Sequence, residues 1–174
     1  MELYDVINSR RSIYNFKSDE VADEVILRVL EAGTMAPSAF NTQPWEFILV
    51  KDPATKIEIA KMREKILRQK RAIETAPMLL IVAYTPNEKL GDDSFASCFT
   101  AIENILLALA VEGLAGVIFA FRNKKLKEFL GLDEGMQIAA VIPLGIPAEE
   151  PGERKVIGIE NKVHFDKFKG GEVK

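Results

Sequence analysis

Two guanidinium groups and a hydroxyl stand side by side at Arg10-Arg11-Ser12, a combination suited to gripping a phosphate dianion through paired N–H donors. At about 4 Å and an effective dielectric near ~20, one arginine–phosphate contact is worth about 4 kcal/mol before desolvation is set against it. A second stretch, residues 37–45 (Pro-Ser-Ala-Phe-Asn-Thr-Gln-Pro-Trp), offers amides and hydroxyls without formal charge. Asn41 and Gln43 can each donate and accept, as the edge of a heterocycle with alternating C=O and N–H requires. A plain polar loop explains the prolines and Ser38 equally well. A third stretch, residues 112–117 (Glu-Gly-Leu-Ala-Gly-Val), puts small residues between apolar segments, where backbone can approach a flat ligand. A helix C-cap at Gly113 followed by a tight strand start explains it as well.

Other devices are absent. The chain has no GxxxxGK[ST] loop, GxGxxG turn, GxSxG elbow or HExxH helix, so hydrolase and dinucleotide-fold readings lose their main support. The single Cys98 excludes an intramolecular disulfide and any CxxC site, and the single His164 excludes zinc sites built on two histidines. No metal site is expected. Cys98 reads as an apolar filler and His164 as a tail residue. The pairs Asp92-Asp93 and Glu149-Glu150 read as solvated carboxylates in polar turns.

The elements that must position the three stretches follow from apolar spacing. Leu3, Val6 and Ile7 predict a short helix over residues 2–9 that delivers Arg10 and Arg11 at its end. Val21, Val25, Ile26, Val29 and Leu30 form one face of a second helix, with Ser18 as its expected N-cap and Gly33 as its end. Residues 34–44 form a loop into a strand at 47–50. Asp52 and Pro53 open a helix that runs to about Arg71. Residues 78–84 are a second strand, and 92–112 a long helix apolar on almost every side, which implies burial from both sides. A third strand is expected over 115–121, a short helix capped by Asn123 and ended by Gly131, and a fourth strand over 137–144. From residue 147 to 174, scattered apolar residues among Pro, Gly and charges predict an extended arm rather than a core. Helix and strand alternate, and that pattern alone suggests a parallel α/β sheet.

With 174 residues, 48% of them apolar and 28% charged, the chain is expected to form a single domain, residues 1–174, with an ordinary core. A net charge of −3 argues against a protein that coats nucleic acid or anionic membrane. The start of the chain lacks a basic region followed by an apolar one, which fits a cytoplasmic location. The most apolar stretch, residues 95–111, is interrupted by Glu103 and Asn104 and followed by Glu112, too short and too polar to span a bilayer, and reads as a buried helix.

Taken in this order, the stretches resemble the nitroreductase family of FMN-dependent oxidoreductases. The resemblance rests on Arg10-Arg11-Ser12-Ile13, on Pro37-Ser38 through Asn41 with Gln43-Pro44-Trp45, on Gly113-Leu114-Ala115-Gly116, and on the late segment at 143–151 leading to Arg154 and Lys155. It implies an α+β fold with a mainly antiparallel sheet flanked by helices, in place of the parallel sheet. It also implies a homodimer with FMN in the subunit interface and a C-terminal arm exchanged between subunits. Carried over residue by residue, Arg10, Arg11 and Ser12 would hold the FMN phosphate and ribityl chain, with Arg154 or Lys155 closing the site. Pro37, Ser38, Ala39 and Asn41, with Gln43 nearby, would come from the partner's loop, and Ala115 and Gly116 would lie beside the flavin ring. No side chain would be catalytic, because flavin N5 would carry the chemistry.

One departure stands out. Many members have Arg or Lys two residues after the serine, near the flavin pyrimidine edge, where this chain has Tyr14. Loss of that charge lowers the flavin potential unless another cation substitutes. The resemblance implies NAD(P)H as a transient electron donor and a small electron-poor acceptor such as a nitroaromatic or quinone. The alternative is a flavin-binding carrier or sensor without turnover. The basic helix between Lys56 and Arg71 reads as a solvated face, with Arg68 and Arg71 as secondary candidates for the flavin phosphate.

Overall fold

The computed structural model describes residues 2–121 and 123–168. In chain order the elements are α1 (Leu3–Ser9), α2 (Asp23–Thr34), β1 (Trp45–Val50), α3 (Pro53–Lys61), α4 (Leu67–Thr75), β2 (Met78–Tyr84), α5 (Asp93–Val111), β3 (Ala115–Gly116), α6 (Lys124–Phe129) and β4 (Gln137–Gly145). Every residue of β2 is buried, and successive side chains go to opposite faces of the sheet. Leu80 and Val82 pack with Ile26 and Val29 of α2 and with Ile102, Ile105 and Leu109 of α5. Leu79 and Ile81 pack with Ile59 of α3, Ile73 of α4 and Leu126 of α6. Two cores therefore sandwich one sheet, which explains why β2 and β4 read as continuous apolar runs.

The sheet order is β1-β2-β4-β3, and every neighbouring pair is antiparallel. The parallel sheet suggested by alternation alone does not form, for two reasons. Between β1 and β2 the chain makes two helices that pack on each other, one outgoing and one returning, so it comes back to the end of the sheet that it left. β2 and β3 do run the same way, joined by α5, but β4 then inserts between them in the opposite direction. The α+β fold expected from the family resemblance is the one observed.

Local chemistry sets the element ends. The Asp52 carboxylate accepts from the Thr55 N–H at 2.7 Å with Pro53 at the first helical position, and Asn123 accepts from the Lys125 N–H at 2.8 Å. Ser18, in contrast, does not cap α2, which starts after Ala22. Residues 16 and 17 are instead committed to the late segment, where Phe16 bridges Pro147 and the Lys17 N–H bonds the Ile146 carbonyl at 2.9 Å. The single helix expected to reach Arg71 is broken between Lys61 and Leu67. The third strand is shorter than expected. Its pairing continues irregularly, as Val117 donates to the Pro143 carbonyl at 3.2 Å and proline has no N–H to return.

α5 lies against α2, where Gly33 permits close approach; a Cβ there would sit 2.7 Å from Cγ1 of Ile105. With 19 residues, α5 is long and apolar enough to cross a membrane by length and composition, which corrects the expectation from sequence that it is too short and polar. Its Cys98, Ala101, Ile102, Ile105 and Leu109 are fully buried in the protein core. The other face, with Thr100, Glu103 and Val111, is exposed. Among the described residues beyond β4 the chain is irregular except for one 3-10 turn (Ile159–Asn161), and Val156, Ile157, Ile159 and Phe168 are exposed. Residues 169–174 of the expected arm lie outside the described residues.

Candidate functional site

α1 ends at Ser9 and the chain then extends, so that Ser12 pairs in parallel with Gly116 on the open edge of β3. This joins the first and third stretches singled out in the sequence. Arg10, Arg11, Ile13, Gly113, Ala115 and Pro147 line a hollow of about 300 Å³ at this junction. Arg154 reaches the same place from the late segment. Its guanidinium donates to the Ile7 carbonyl at 3.2 Å and to the Arg10 carbonyl, at the C-terminal end of α1. Lys155, the other basic candidate, is exposed. Arg11 donates to the Asn8 carbonyl and, at 3.1 Å, to the Arg10 carbonyl.

Arg10 and Arg11 thus line one hollow, with Arg154 bonded to the Arg10 carbonyl behind them, and among the described residues one carboxylate approaches them, Glu103 at 3.8 Å from Arg10. The Nε of Arg11 is buried without a hydrogen-bond partner among the described residues. A buried unpaired donor costs about 1–3 kcal/mol, more when charged, so this cluster is chemically incomplete and suited to a dianion. Ser12 is exposed beside it. Gly116 has a packing reason of its own, because a Cβ there would meet Cγ2 of Ile142 at 3.1 Å and Cδ2 of Leu106 at 3.3 Å.

The loop carrying Pro37, Ser38, Ala39, Asn41 and Gln43 lies elsewhere. Ser97 accepts from the Ala39 N–H at 3.1 Å, and Thr100 donates to the Pro37 carbonyl at 2.7 Å, so the loop is pinned to the N-terminal half of α5. The arginine cluster sits beside Ala110 and Gly113 at the opposite end. Thirteen residues of helix separate Ser97 from Ala110, about 20 Å at the helical rise. One chain therefore does not bring the two stretches together.

The loop is held in an unusual shape. Phe40, Asn41 and Gln43 have φ of 50°, 55° and 44°, and the Phe40 side chain is 86% exposed. Left-handed backbone at a residue with a side chain costs about 1–2 kcal/mol. The Gln43 N–H donates to the Ser38 hydroxyl at 3.0 Å, and the Gln43 amide donates to the Asn41 side-chain carbonyl at 3.2 Å. These contacts leave the amide of Asn41 and the carbonyl of Gln43 with no partner among the described residues.

Glu149 was not recognisable as part of the site from sequence. It is not simply solvated, as its carboxylate accepts from the backbone N–H groups of Tyr14 at 2.7 Å and Asn15 at 3.3 Å, and from the Asn15 side-chain amide. Partial burial pushes its pKa up, but the N–H donors of Tyr14 and Asn15 and the nearby charge of Arg68 outweigh this and hold it below the ordinary carboxylate range. It fastens the segment after Ser12 to the late segment. The signal available in sequence was its place in the late segment, directly after Pro147 and Ala148. Glu103, Ser97 and Thr100 were likewise hidden, as polar positions within an apolar helix.

Arg68 stacks over the Tyr14 ring, its guanidinium carbon 3.5 Å from the ring centroid. Together with Asn15, Leu67 and Arg71 they line a second hollow of about 270 Å³. Several of the other basic residues between 56 and 71 have local roles. Lys56 donates to the Ala76 and Pro77 carbonyls, Lys61 pairs with Glu58, and Arg63 stacks on Phe121. Cys98 is inert, because burial pushes its thiol pKa up to about 12. No cluster of three or more potential metal ligands occurs among the described residues.

Known proteins are similar to this chain in sequence and fold. The Bacillus subtilis protein YfhC, provisionally named an NAD(P)H nitroreductase, is 31% identical over 92% of this chain and 92% of its own. The structure of an FMN-dependent nitroreductase from Clostridium difficile superposes with a TM-score of 0.82, at 25% identity, over 95% of this chain and 100% of that one. Human iodotyrosine deiodinase 1 is 29% identical over 86% of this chain and 62% of its own. The Nitroreductase family model matches residues 7–74 and 65–146, a span that contains the arginine pair, the polar loop and the Gly116 edge; the chain belongs to the Nitroreductase family.

Proposed function

We propose that this oxidoreductase binds FMN and uses NAD(P)H to reduce electron-poor acceptors such as nitroaromatics or quinones, working as a homodimer. The observation that carries this reading is the hollow lined by Arg10 and Arg11 beside the exposed Ser12, with Arg154 fixed on the Arg10 carbonyl at its back. The two guanidinium charges on the wall of this hollow attract a dianion, and the residues present therefore fit the phosphorylated tail of FMN. Once bound, flavin supplies the hydride chemistry that no side chain of this site can provide.

The protein's contribution is to bind, orient and shield. Arg10, Arg11 and Arg154 would neutralise the phosphate, and the exposed Ser12 hydroxyl would bond the adjoining polyol. Ala115, on the β3 edge, would let the flat ring lie close to the backbone. A second copy supplies what one chain lacks. If two α5 helices pack antiparallel through their exposed faces, the loop at Ser97 of one chain comes to the arginine end of the other. Exposed apolar residues around α1 and α5 support such pairing, notably Leu3 (62% exposed), Tyr4 (78%) and Val111 (58%). The unpaired amide of Asn41 and carbonyl of Gln43 would then meet a heterocycle edge. The arm after residue 147, with its exposed Val156, Ile157 and Phe168, would cover the partner.

The test is chemical. Purified protein is denatured, its chromophore identified by absorbance and mass, and the intact protein mixed with NADH or NADPH under nitrogen. The expected result is bound FMN that is bleached by the donor and recoloured by a nitroaromatic or quinone. Colourless, monomeric protein that takes up no added FMN overturns the proposal. Bound flavin that neither donor bleaches identifies a carrier or sensor.

A further inference from the structure

The outward stripe of α5 carries one charge. Ala96, Thr100, Glu103 and Val111 are exposed and Leu107 is half-buried, and their spacing of three and four residues puts them on one face of the helix. Glu103 forms an ion pair with Arg10 at 3.8 Å, with the two side chains 54% and 23% exposed. In contact with water such a pair is screened and weak. Arg10 follows directly on α1, which lies against α5, and it borders the hollow that the proposed phosphate would occupy.

The stripe is symmetric about its charge. Ala96 and Val111 stand equally far in sequence from the midpoint between positions 103 and 104, as do Thr100 and Leu107, so antiparallel copies set a smaller side chain against a larger one at each step. The polar loop is pinned at Ser97 and the arginine end lies at Ala110, and these two positions share the same midpoint. A two-fold axis that brings the loop of one chain to the arginine end of the other therefore crosses α5 at positions 103 and 104. Asn104 is committed to its own chain, donating to the Ala32 carbonyl at 3.1 Å. Glu103 is left to face its own copy.

We propose that the Glu103 carboxylates of two copies of this chain meet at the two-fold axis, with the Arg10 of each chain as the counterion that lets them do so. The inference rests on the two-fold pairing in the reading above. Two carboxylates brought together between helices repel, and loss of water makes an unpaired one costly, whereas a carboxylate already paired with a guanidinium can be covered. Arg10 thereby serves two anions, the carboxylate at the seam and the phosphate in the hollow. The stability of the dimer then depends on a residue of the coenzyme site.

The experiment uses the full-length protein as purified, with no added ligand. In Glu103→Cys the one other thiol, Cys98, is fully buried, so mild oxidation should join two chains through position 103. Ala96→Cys, about 11 Å from the axis along each helix, should stay unlinked. Sedimentation at low ionic strength then gives the dimer dissociation constant. Arg10→Gln should raise it about tenfold or more, and adding Glu103→Gln should bring it back to within about threefold of wild type. That rescue separates charge at the seam from loss of coenzyme, because it does not return Arg10. If wild type is dimeric, failure of Glu103→Cys to link overturns the placement, as does equal linking of Ala96→Cys. An Arg10→Gln dimer as tight as wild type, or one that Glu103→Gln does not restore, overturns the role of Arg10. Monomeric wild type overturns this inference together with the homodimer of the reading above. Protein that links and dimerises as expected but takes up no FMN removes the FMN reading and leaves this inference standing.

Discussion

The two ends of α5 are built on opposite principles. At its C-terminal end, charge is concentrated and left incomplete, with three guanidinium groups, one carboxylate at 3.8 Å and a buried Nε without a partner. At its N-terminal end, the loop from Pro37 to Trp45 contains no ionisable side chain, and its backbone is held at Pro37, Ala39 and the left-handed Gln43 by the hydroxyls of Thr100, Ser97 and Ser38. In the proposed reading one end is completed by a ligand; the other is completed by the protein itself. A flavin nucleotide has the same polarity, a dianionic tail and an uncharged hydrogen-bonding ring edge, and two-fold pairing would align one end of each chain with the other end of its partner.

The largest effect should come from breaking the charged end. Arg10→Ala combined with Ser12→Ala removes one charge-assisted and one neutral hydrogen bond, together about 2–4 kcal/mol, so FMN affinity measured by fluorescence should fall by about thirtyfold to a thousandfold. Retention equal to wild type would remove both residues from the site. A smaller effect, on stability rather than binding, is expected at the uncharged end. Ser97→Ala leaves the Ala39 N–H without its acceptor and should cost about 1–2 kcal/mol, lowering Tm by about 2–6 °C. The mildest contrast is in pH. The lowered pKa of Glu149 means that its contribution is complete above the ordinary carboxyl value of 4.5 and is lost as pH falls through the lower folded-state value. Protection of the Tyr14 and Asn15 amides from hydrogen exchange should therefore drop in acid, while protection at Ala39 and Gln43 holds. Glu149→Gln should remove that difference.

Much of this organisation was legible in the residues. Asp52-Pro53 and Asn123 announced their helices because a cap is local chemistry, and Met78–Tyr84 is a strand end to end because seven apolar residues between polar turns leave little else. Strand direction was not legible, since a strand buried on both faces has the same composition whichever way its neighbours run. The break before α4 had a signal, as Arg63 and Glu64 stand where a continuous apolar face after Ile59 and Ala60 would need core residues. Ser18 was misleading because a cap competes with tertiary pairing, and Phe16 and Lys17 are taken by the late segment. Within the site, arginines and small residues advertise themselves by type. Glu149 and Ser97 do not, because their work is to bond backbone N–H groups more than fifty positions away in sequence.

The strand order carries a consequence for biosynthesis. β4 is the last strand to leave the ribosome, yet it lies in the interior of the sheet, between β2 and β3. Until residues 137–145 emerge, a nascent chain has two open strand edges and a heavily apolar helix above them, the surfaces most prone to stick to neighbours. Completion of this sheet is therefore tied to the emergence of residues 137–145 rather than to that of the strands before them. A frameshift or stop codon upstream of Gln137 would remove the strand that closes the sheet, leaving no fragment with a finished core.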